Sequence, residues 1–266
     1  MRPVALALAL AAAAAPAGAA AQVETEAESQ VLRALAEPGF LLSLGWIMES
    51  SSEGETARVL GTDREGEIED RSLTVFDLVY LPLVVDGRRL TPGDRIQIYR
   101  RDRRLTDPES GAPLGTLAVP TGVAVVEALT GDVTRATIEV NYGPVLVGDL
   151  VRLVTPADTT WTAVAGASPI GTEGVLVAFQ TEKELLPPFD AFVIRRAAGP
   201  PPAVGDHLLV YRPGPREAGR QFPDVPLGSA VVARVQGDLA IAVLVTTQRS
   251  DLGPGDRVRE IRPEEW

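Results

Sequence analysis

The sequence has no cysteine, a single histidine (His207) and a single lysine (Lys183) among its 266 residues. Without cysteine there are no disulfides, no thiolate metal sites and no cysteine nucleophile, so stability must come from ordinary apolar burial. One histidine leaves little basis for histidine-rich metal ligation, and any Ser-His-Asp triad would have to be built on His207 alone. Aromatic residues are only 5% of the chain, so an aromatic-lined site has few side chains to draw on. No phosphate-cradling glycine-rich loop is present. Beyond the N-terminal stretch, no run is apolar for the roughly 20 residues that a bilayer crossing needs.

What is abundant is negative charge, glycine and proline. The formal charge of −11 repels phosphate backbones and anionic headgroups, so nucleic acid and direct membrane adsorption are not expected partners. Residues 1–21 read as a signal peptide. Arg2 supplies a positive start, Val4 to Ala15 an apolar core, and Ala19-Ala20-Ala21 a small-residue cleavage site before Gln22. Export is therefore expected, to a periplasmic or secreted location, with no membrane insertion after cleavage. No cysteine follows the apolar run, which excludes a lipid anchor there.

Residues 22–44 read as a short helix, Glu24 to Ala36, and a lead-in, with Pro38-Gly39 as the stop. From Phe40 onward short apolar runs alternate with Gly, Pro and Asp, the pattern of strands and tight turns in an all-β chain. Landmarks recur in order. "FDLVYL" at Phe76 is echoed by "FDAFVI" at Phe189, and "PGDRIQIYR" at Pro92 by "VGDHLLVYR" at Val204. Leu114-Gly115 is matched by Leu227-Gly228, Gly131-Asp132 by Gly237-Asp238, and "VGDLVRLV" at Val147 by "PGDRVREI" at Pro254. The order implies an internal duplication. The expected fold is two tandem, related, small β-barrel-like modules, 45–154 and 171–266, joined by a linker at 155–170. "GWIMES" (Gly45 to Ser50) and "GVLVAF" (Gly174 to Phe179) are the expected opening strands.

The turns Gly93-Asp94, Gly148-Asp149, Gly205-Asp206 and Gly255-Asp256 are read as structural. Glycine takes a positive φ freely, and aspartate can accept a backbone N–H about two residues on. Two residues past each aspartate stand Ile96, Val151, Leu208 and Val258, with mostly polar residues between the apolar ones. That alternation predicts one buried and one wet face. It places Tyr99 and Tyr211 on the wet face, each followed by arginine, so Tyr99, Arg100, Tyr211 and Arg212 are the candidate interaction surface.

"FDLVYL", "PGDRIQIYR", Asp107-Pro108-Glu109-Ser110-Gly111 with Leu114-Gly115, and "VLVGDLVRL" together resemble the C-terminal module of flagellar assembly protein T. They also resemble similar modules found beside LysM repeats in bacterial envelope proteins. The resemblance covers Phe76 to Val154 and, more loosely, Phe189 to Ile261. It implies a small β-barrel-like module in a periplasmic protein concerned with assembly or anchoring, and it carries no catalytic residues.

Other candidates are weaker. The acidic run Asp63 to Asp70 lacks the alternating ligands of an EF-hand and reads as a solvated loop with a residual capacity for a cation. Glu182 and Glu184, flanking Lys183, are the only pair suggested for acid and base work in a carboxylate-dependent hydrolase. His207 is expected in solvent. Trp46, Trp161 and Trp266 fall at segment edges. The expectation is a non-enzymatic envelope scaffold with no metal or cofactor. Its partner would be an envelope protein, or peptidoglycan if the tyrosine–arginine surface binds glycan.

Overall fold

The computed structural model describes residues 17–49, 57–63, 72–162, 171–181, 187–217 and 219–262. The chain is mostly β. It opens with helices α1 (Ala17–Leu35) and α2 (Pro38–Ser43), with Pro38 at the start of α2, where its missing N–H has no intrahelical partner to lose. Helix α1 is longer than the expected Glu24 to Ala36 and runs without a break across Ala21 and Gln22.

The first β body contains β1 (Trp46–Met48), β2 (Gly61–Thr62), β3 (Leu78–Pro82), the small ribbon β4 (Val84–Val85) with β5 (Arg88–Arg89), β6 (Arg95–Thr106), β7 (Pro113–Thr130), β8 (Val133–Asn141) and β9 (Leu150–Leu153). Its sheet order is β2-β3-β8-β7-β6-β9, with β1 on the start of β7. The residues just before β2 bridge back to β9: Arg58 pairs with Leu150, and Val59 exchanges 2.8 Å backbone bonds with Asp149 and Gly148. The second body is a closed six-stranded barrel. It uses β10 (Glu173–Phe179), β11 (Ala191–Ala198), β12 (His207–Arg212), β15 (Val225–Gln236), β16 (Leu239–Thr247) and β17 (Arg257–Glu260), with a separate ribbon β13 (Arg216–Glu217) and β14 (Arg220–Gln221). The order is β10-β11-β16-β15-β12-β17.

One turn sets the registers, and it occurs six times among the described residues. In each, the aspartate N–H donates to the carbonyl three residues back: Asp77 to Thr74, Asp94 to Thr91, Asp149 to Leu146, Asp190 to Pro187, Asp206 to Ala203 and Asp256 to Gly253, at 3.0–3.3 Å. The residue before each aspartate has a positive φ, between 91° and 94° at the four glycines and 72° and 74° at Phe76 and Phe189. This is a type II turn, which demands that backbone at its third residue. The phenylalanine landmarks are thus the same turn with a bulky side chain in glycine's place. Each turn also exchanges two backbone bonds with one aliphatic residue of a neighbouring segment, as Gly93 and Asp94 do with Val126, and Gly205 and Asp206 with Val232. The expectation that the aspartate carboxylate reaches forward is not met. The carboxylate reaches back, accepting the N–H of Thr91, Leu146, Ala203 and Gly253 at 2.6–2.9 Å, and that of Thr74 at Asp77. At the sixth turn residue 187 is proline, which has no N–H to give.

Ile96, Val151, Leu208 and Val258 are fully buried, inside the two bodies as the alternation predicts. At about 1.5–3 kcal/mol for each aliphatic side chain removed from water, these interiors outweigh the turn bonds. The other face departs from expectation. Strands β15 and β16 are buried on both sides, because α1, α2 and β1 cover the outer face of the barrel. Val31, Leu35, Leu41, Leu44 and Ile47 form one core there with Leu105, Leu117, Val231, Ile241, Val243 and Val245. Gln97, expected wet, is fully buried with its Nε2 donating to Leu42 O.

Two landmark matches are corrected. Gly45 to Met48 is not the counterpart of β10. The turn at Gly148-Asp149 bonds Val59, just as the turn at Gly255-Asp256 bonds Leu176, so the strand entering β2 occupies that place. Leu114-Gly115 likewise does not match Leu227-Gly228. Gly228 lies opposite Val210 and Pro226 opposite Tyr211, whereas Gly122 lies opposite Ile98 and Pro120 opposite Tyr99. Residues 101–118 are therefore an extension of the β6–β7 hairpin that β12 and β15 do not have.

Candidate functional site

The two bodies meet along the N-terminal segment, and side-chain amides join them. Gln180 accepts the Gly45 N–H at 2.8 Å and donates to Ser43 O at 2.8 Å. Gln236 accepts the Ile47 N–H at 2.8 Å and donates to Ile47 O at 3.1 Å. Strand β1 pairs with β7 on one side, while the Gln236 amide satisfies both the N–H and C=O of Ile47 and Gln180 holds the residues just before the strand, so backbone groups that would face water are satisfied across the joint. The tip of the β6–β7 extension makes a second attachment. Asp107 accepts the Ser110 hydroxyl at 2.6 Å and lies 3.2 Å from Arg195, while Glu109 takes Arg195 at 2.7 Å and Arg257. The Ser110 hydroxyl, opposed by burial and helped by the Glu109 N–H and Arg195, holds the Asp107 carboxyl below its usual range.

A cleft of about 440 Å³ opens at this joint, lined by residues of both bodies: Leu41, Trp46, Arg152, Asp158, Trp161, Ala233, Arg234 and neighbours. Arg152 on β9 lies 4.4 Å over the Trp46 ring, donates from Nε to Gln97 Oε1 at 2.7 Å and pairs with Asp158 at 2.7 Å. Asp158 is also bonded by the N–H and hydroxyl of Thr155, at 2.8 and 2.6 Å. Burial alone would raise its pKa, but Thr155 and Arg152 outweigh that and hold it down. Arg234 on β15 donates to Leu41 O at 2.8 Å and has only a long 3.5 Å contact to Asp158 O. Burial, reinforced by the charge of Arg152 and only partly offset by that of Asp158, pushes the Arg234 guanidinium below its ordinary value. A second cleft of about 610 Å³, lined by Glu49, Leu114, Arg195, Arg196 and Asp238 among others, has Asp238 tied to Arg196 at 2.6 Å.

The tyrosine–arginine surface is placed differently from expectation. Tyr99 is only 4% exposed, its ring 4.7 Å from that of Trp46, because a bulge between Ile98 and Tyr99 and the overlying β1 turn its face inward. Tyr211 is half-buried, with Arg259 4.8 Å above its ring. Arg100 and Arg212 are each forked onto the aspartate of the closing turn, Asp149 at 2.9 Å and Asp256 at 2.8 and 3.0 Å. His207 is not in solvent: its Nδ1 lies 3.6 Å from Glu28 of α1, and burial, against the pull of Glu28, lowers its pKa. The acidic run past Asp63 (Arg64 to Asp70), Glu182 to Glu184 and Trp266 lie outside the described residues. Among the described residues no three His, Asp or Glu side chains are grouped to hold a metal ion, and no helix is long and apolar enough to cross a membrane.

The chain matches no protein-family model and no curated protein. Arg152, Arg234 and Trp161 were not marked by the sequence as a group, since one sits at a position expected to be wet, one in a strand core and one in the expected linker.

Proposed function

We propose that the protein is an exported, non-catalytic envelope protein whose two β bodies are related modules serving as an assembly or interaction scaffold, in a flagellum-related or similar setting. The observation that carries this reading is the joint. The shared core of α1, α2 and β1, the two glutamine bridges and the Asp107–Glu109 tip fix one body against the other. A scaffold needs such fixed spacing more than it needs reactive groups. The repeated carboxylates also support it, because those of Asp94, Asp149, Asp206 and Asp256 are occupied by backbone N–H groups within their own turns.

The test combines fractionation with photo-crosslinking in a bacterial host. The expected result is a periplasmic or secreted product starting at Gln22 and one envelope protein trapped reproducibly from surface positions such as Leu60 and Phe76, which are exposed. Cytoplasmic retention with Met1 in place, or crosslinks to no envelope protein, would overturn it. The glycan-binding reading loses Tyr99 as a contact residue, leaving Tyr211 beside Arg259. Sedimentation with purified peptidoglycan, with and without Tyr211→Ala, tests what is left of it. The hydrolase reading rests on Glu182 and Glu184, which lie outside the described residues.

A further inference from the structure

We propose that the cleft between α2, β1, β9 and β15 binds a small organic anion, with its charged oxygens on Arg234 and its apolar body against Trp161.

The charge count in the cleft does not balance. Two guanidinium groups face a single carboxylate, and that carboxylate is used up: one oxygen of Asp158 holds Arg152 and the other holds Thr155. Arg152 is itself satisfied by Asp158, Gln97 and the Trp46 ring. Arg234 has two backbone carbonyls and no carboxylate within 4 Å among the described residues. An arginine cannot shed its proton to escape this. A largely enclosed guanidinium whose only nearby carboxylate, Asp158, is out of contact and already pairs Arg152 is costly, and an anion entering the cleft reduces that cost with charge-assisted bonds. This positive spot stands on a protein of formal charge −11, so it is not a by-product of a generally basic surface.

The fold does not need arginine there. The residue two positions past the turn-bonded valine is Arg234 in β15, after Val232, but Ala128 in β7, after Val126. The same bulge follows both valines, so the turn and strand form equally well around alanine. Holding Leu41 O takes one N–H, which a glutamine would supply.

The remaining walls suit a small ligand. A volume of about 440 Å³ falls within the range of small-molecule sites, and Leu41, Ala157, Val204, Ala233 and Val235 give it an apolar lining. The Trp161 indole adds a planar wall, and its Nε1–H is buried without an acceptor among the described residues, a donor that a ligand oxygen can satisfy. Because Arg152 and Trp46 come from one body and Arg234 from the other, an occupant touches both and strengthens the joint.

The anionic group could be a carboxylate or a phosphate monoester, and three probes separate these from simple apolar binding. Benzoate, phenyl phosphate and benzamide are titrated into the full chain labelled at indole nitrogen, with the Trp161 signal assigned through Trp161→Phe. The expected result is a saturable shift of the Trp161 signal with at least one anion, none with benzamide, and a loss of affinity of at least about ten-fold in Arg234→Gln, the scale of one charge-assisted bond. Arg234→Lys should keep part of the affinity. The tighter anion of the two names the ligand class. No saturable shift with either anion, equal binding of benzamide, or unchanged affinity in Arg234→Gln with its spectrum still dispersed would overturn the proposal. These readings do not depend on export or on a protein partner, so they stand or fall separately from the scaffold function.

Discussion

Arg100 grips Asp149 with a two-pronged contact, Nε and Nη2 each 2.9 Å from one carboxylate oxygen, and Arg212 grips Asp256 in the same way at 2.8 and 3.0 Å. In each body an arginine six positions past the turn aspartate that opens its strand is clamped to the turn that launches the neighbouring strand. The aspartate is nearly buried while the arginine is partly open to solvent. Asp149→Ala should therefore destabilise by about 1.5–3 kcal/mol, the range for hydrogen bonds to charged groups. Urea unfolding of Asp149→Ala, Arg100→Ala and the double variant checks this. The double variant should cost clearly less than the sum of the singles, and strict additivity would show that the pair does not interact.

Ile96 and Arg95 are adjacent on β6 and face opposite ways. Ile96 is fully buried, whereas Arg95 makes a surface pair with Glu139 at 2.8 Å. Ile96→Ala should cost about 2–5 kcal/mol from lost transfer and the cavity left behind. Arg95→Ala should cost no more than about 1 kcal/mol, as for exposed pairs. Chemical denaturation of the two variants separates them, and equal losses would refute the assigned faces.

Phe76 and Phe189 occupy the same strained backbone in two turns but differ in their surroundings. Phe76 is 84% exposed, while Phe189 packs edge-on to Phe40 at 6.2 Å. A bulky residue at positive φ carries about 1–2 kcal/mol of strain. Phe76→Gly should relieve it and leave thermal stability unchanged or higher. Phe189→Gly should lower it, because the Phe40 contact is lost with the ring. Melting temperatures decide between these outcomes.

Asp94 and Asp206 sit in equivalent turns but titrate in opposite directions. At Asp94 burial acts upward, yet Thr91 and Arg88 outweigh it and the carboxyl lies below its usual value. At Asp206 burial wins over the Ala203 N–H, and Glu260 adds to it, so the carboxyl is raised. A depressed carboxyl contributes stability above its unfolded pKa of about 3.8, lost as pH falls through the folded value. A raised carboxyl costs stability above its folded value, and the cost disappears on protonation. Asp94→Asn should thus be destabilising at pH 7, with the deficit closing as pH drops below about 4. Asp206→Asn should be neutral or stabilising at pH 7, and the difference should vanish at low pH. Stability against pH for the two variants measures both signs.

The interior was legible because a period of two with aliphatic residues at fixed distances from each aspartate has one low-energy solution. That logic located Ile96, Val151, Leu208 and Val258. It failed wherever tertiary contacts cover an outer face. Gln97 and Tyr99 look like wet positions until β1 and α2 are laid over them, and no local pattern announces that covering. The Leu-Gly dipeptides misled for a related reason. Identity at Leu114-Gly115 and Leu227-Gly228 outscored the Pro-x-Gly spacing, Pro120 to Gly122 and Pro226 to Gly228, that the pairing uses. The cleft was illegible because Trp46, Arg152 and Arg234 are far apart in sequence and meet only when the two bodies dock.

The two bodies close in different ways. The barrel is joined all round by strands of at least four residues, its shortest being β17. The first sheet is fastened by two-residue β2 and by the short seam at Arg58 and Leu150, which three backbone bonds from Ala57 and Val59 hold. A ring parts at its briefest fastening, so breathing of the first body begins along that line. Deuterium should reach the amides of Val59, Leu60 and Val151 well before those of Val232 and Leu244, giving one half of the molecule a built-in place to open while the other stays shut.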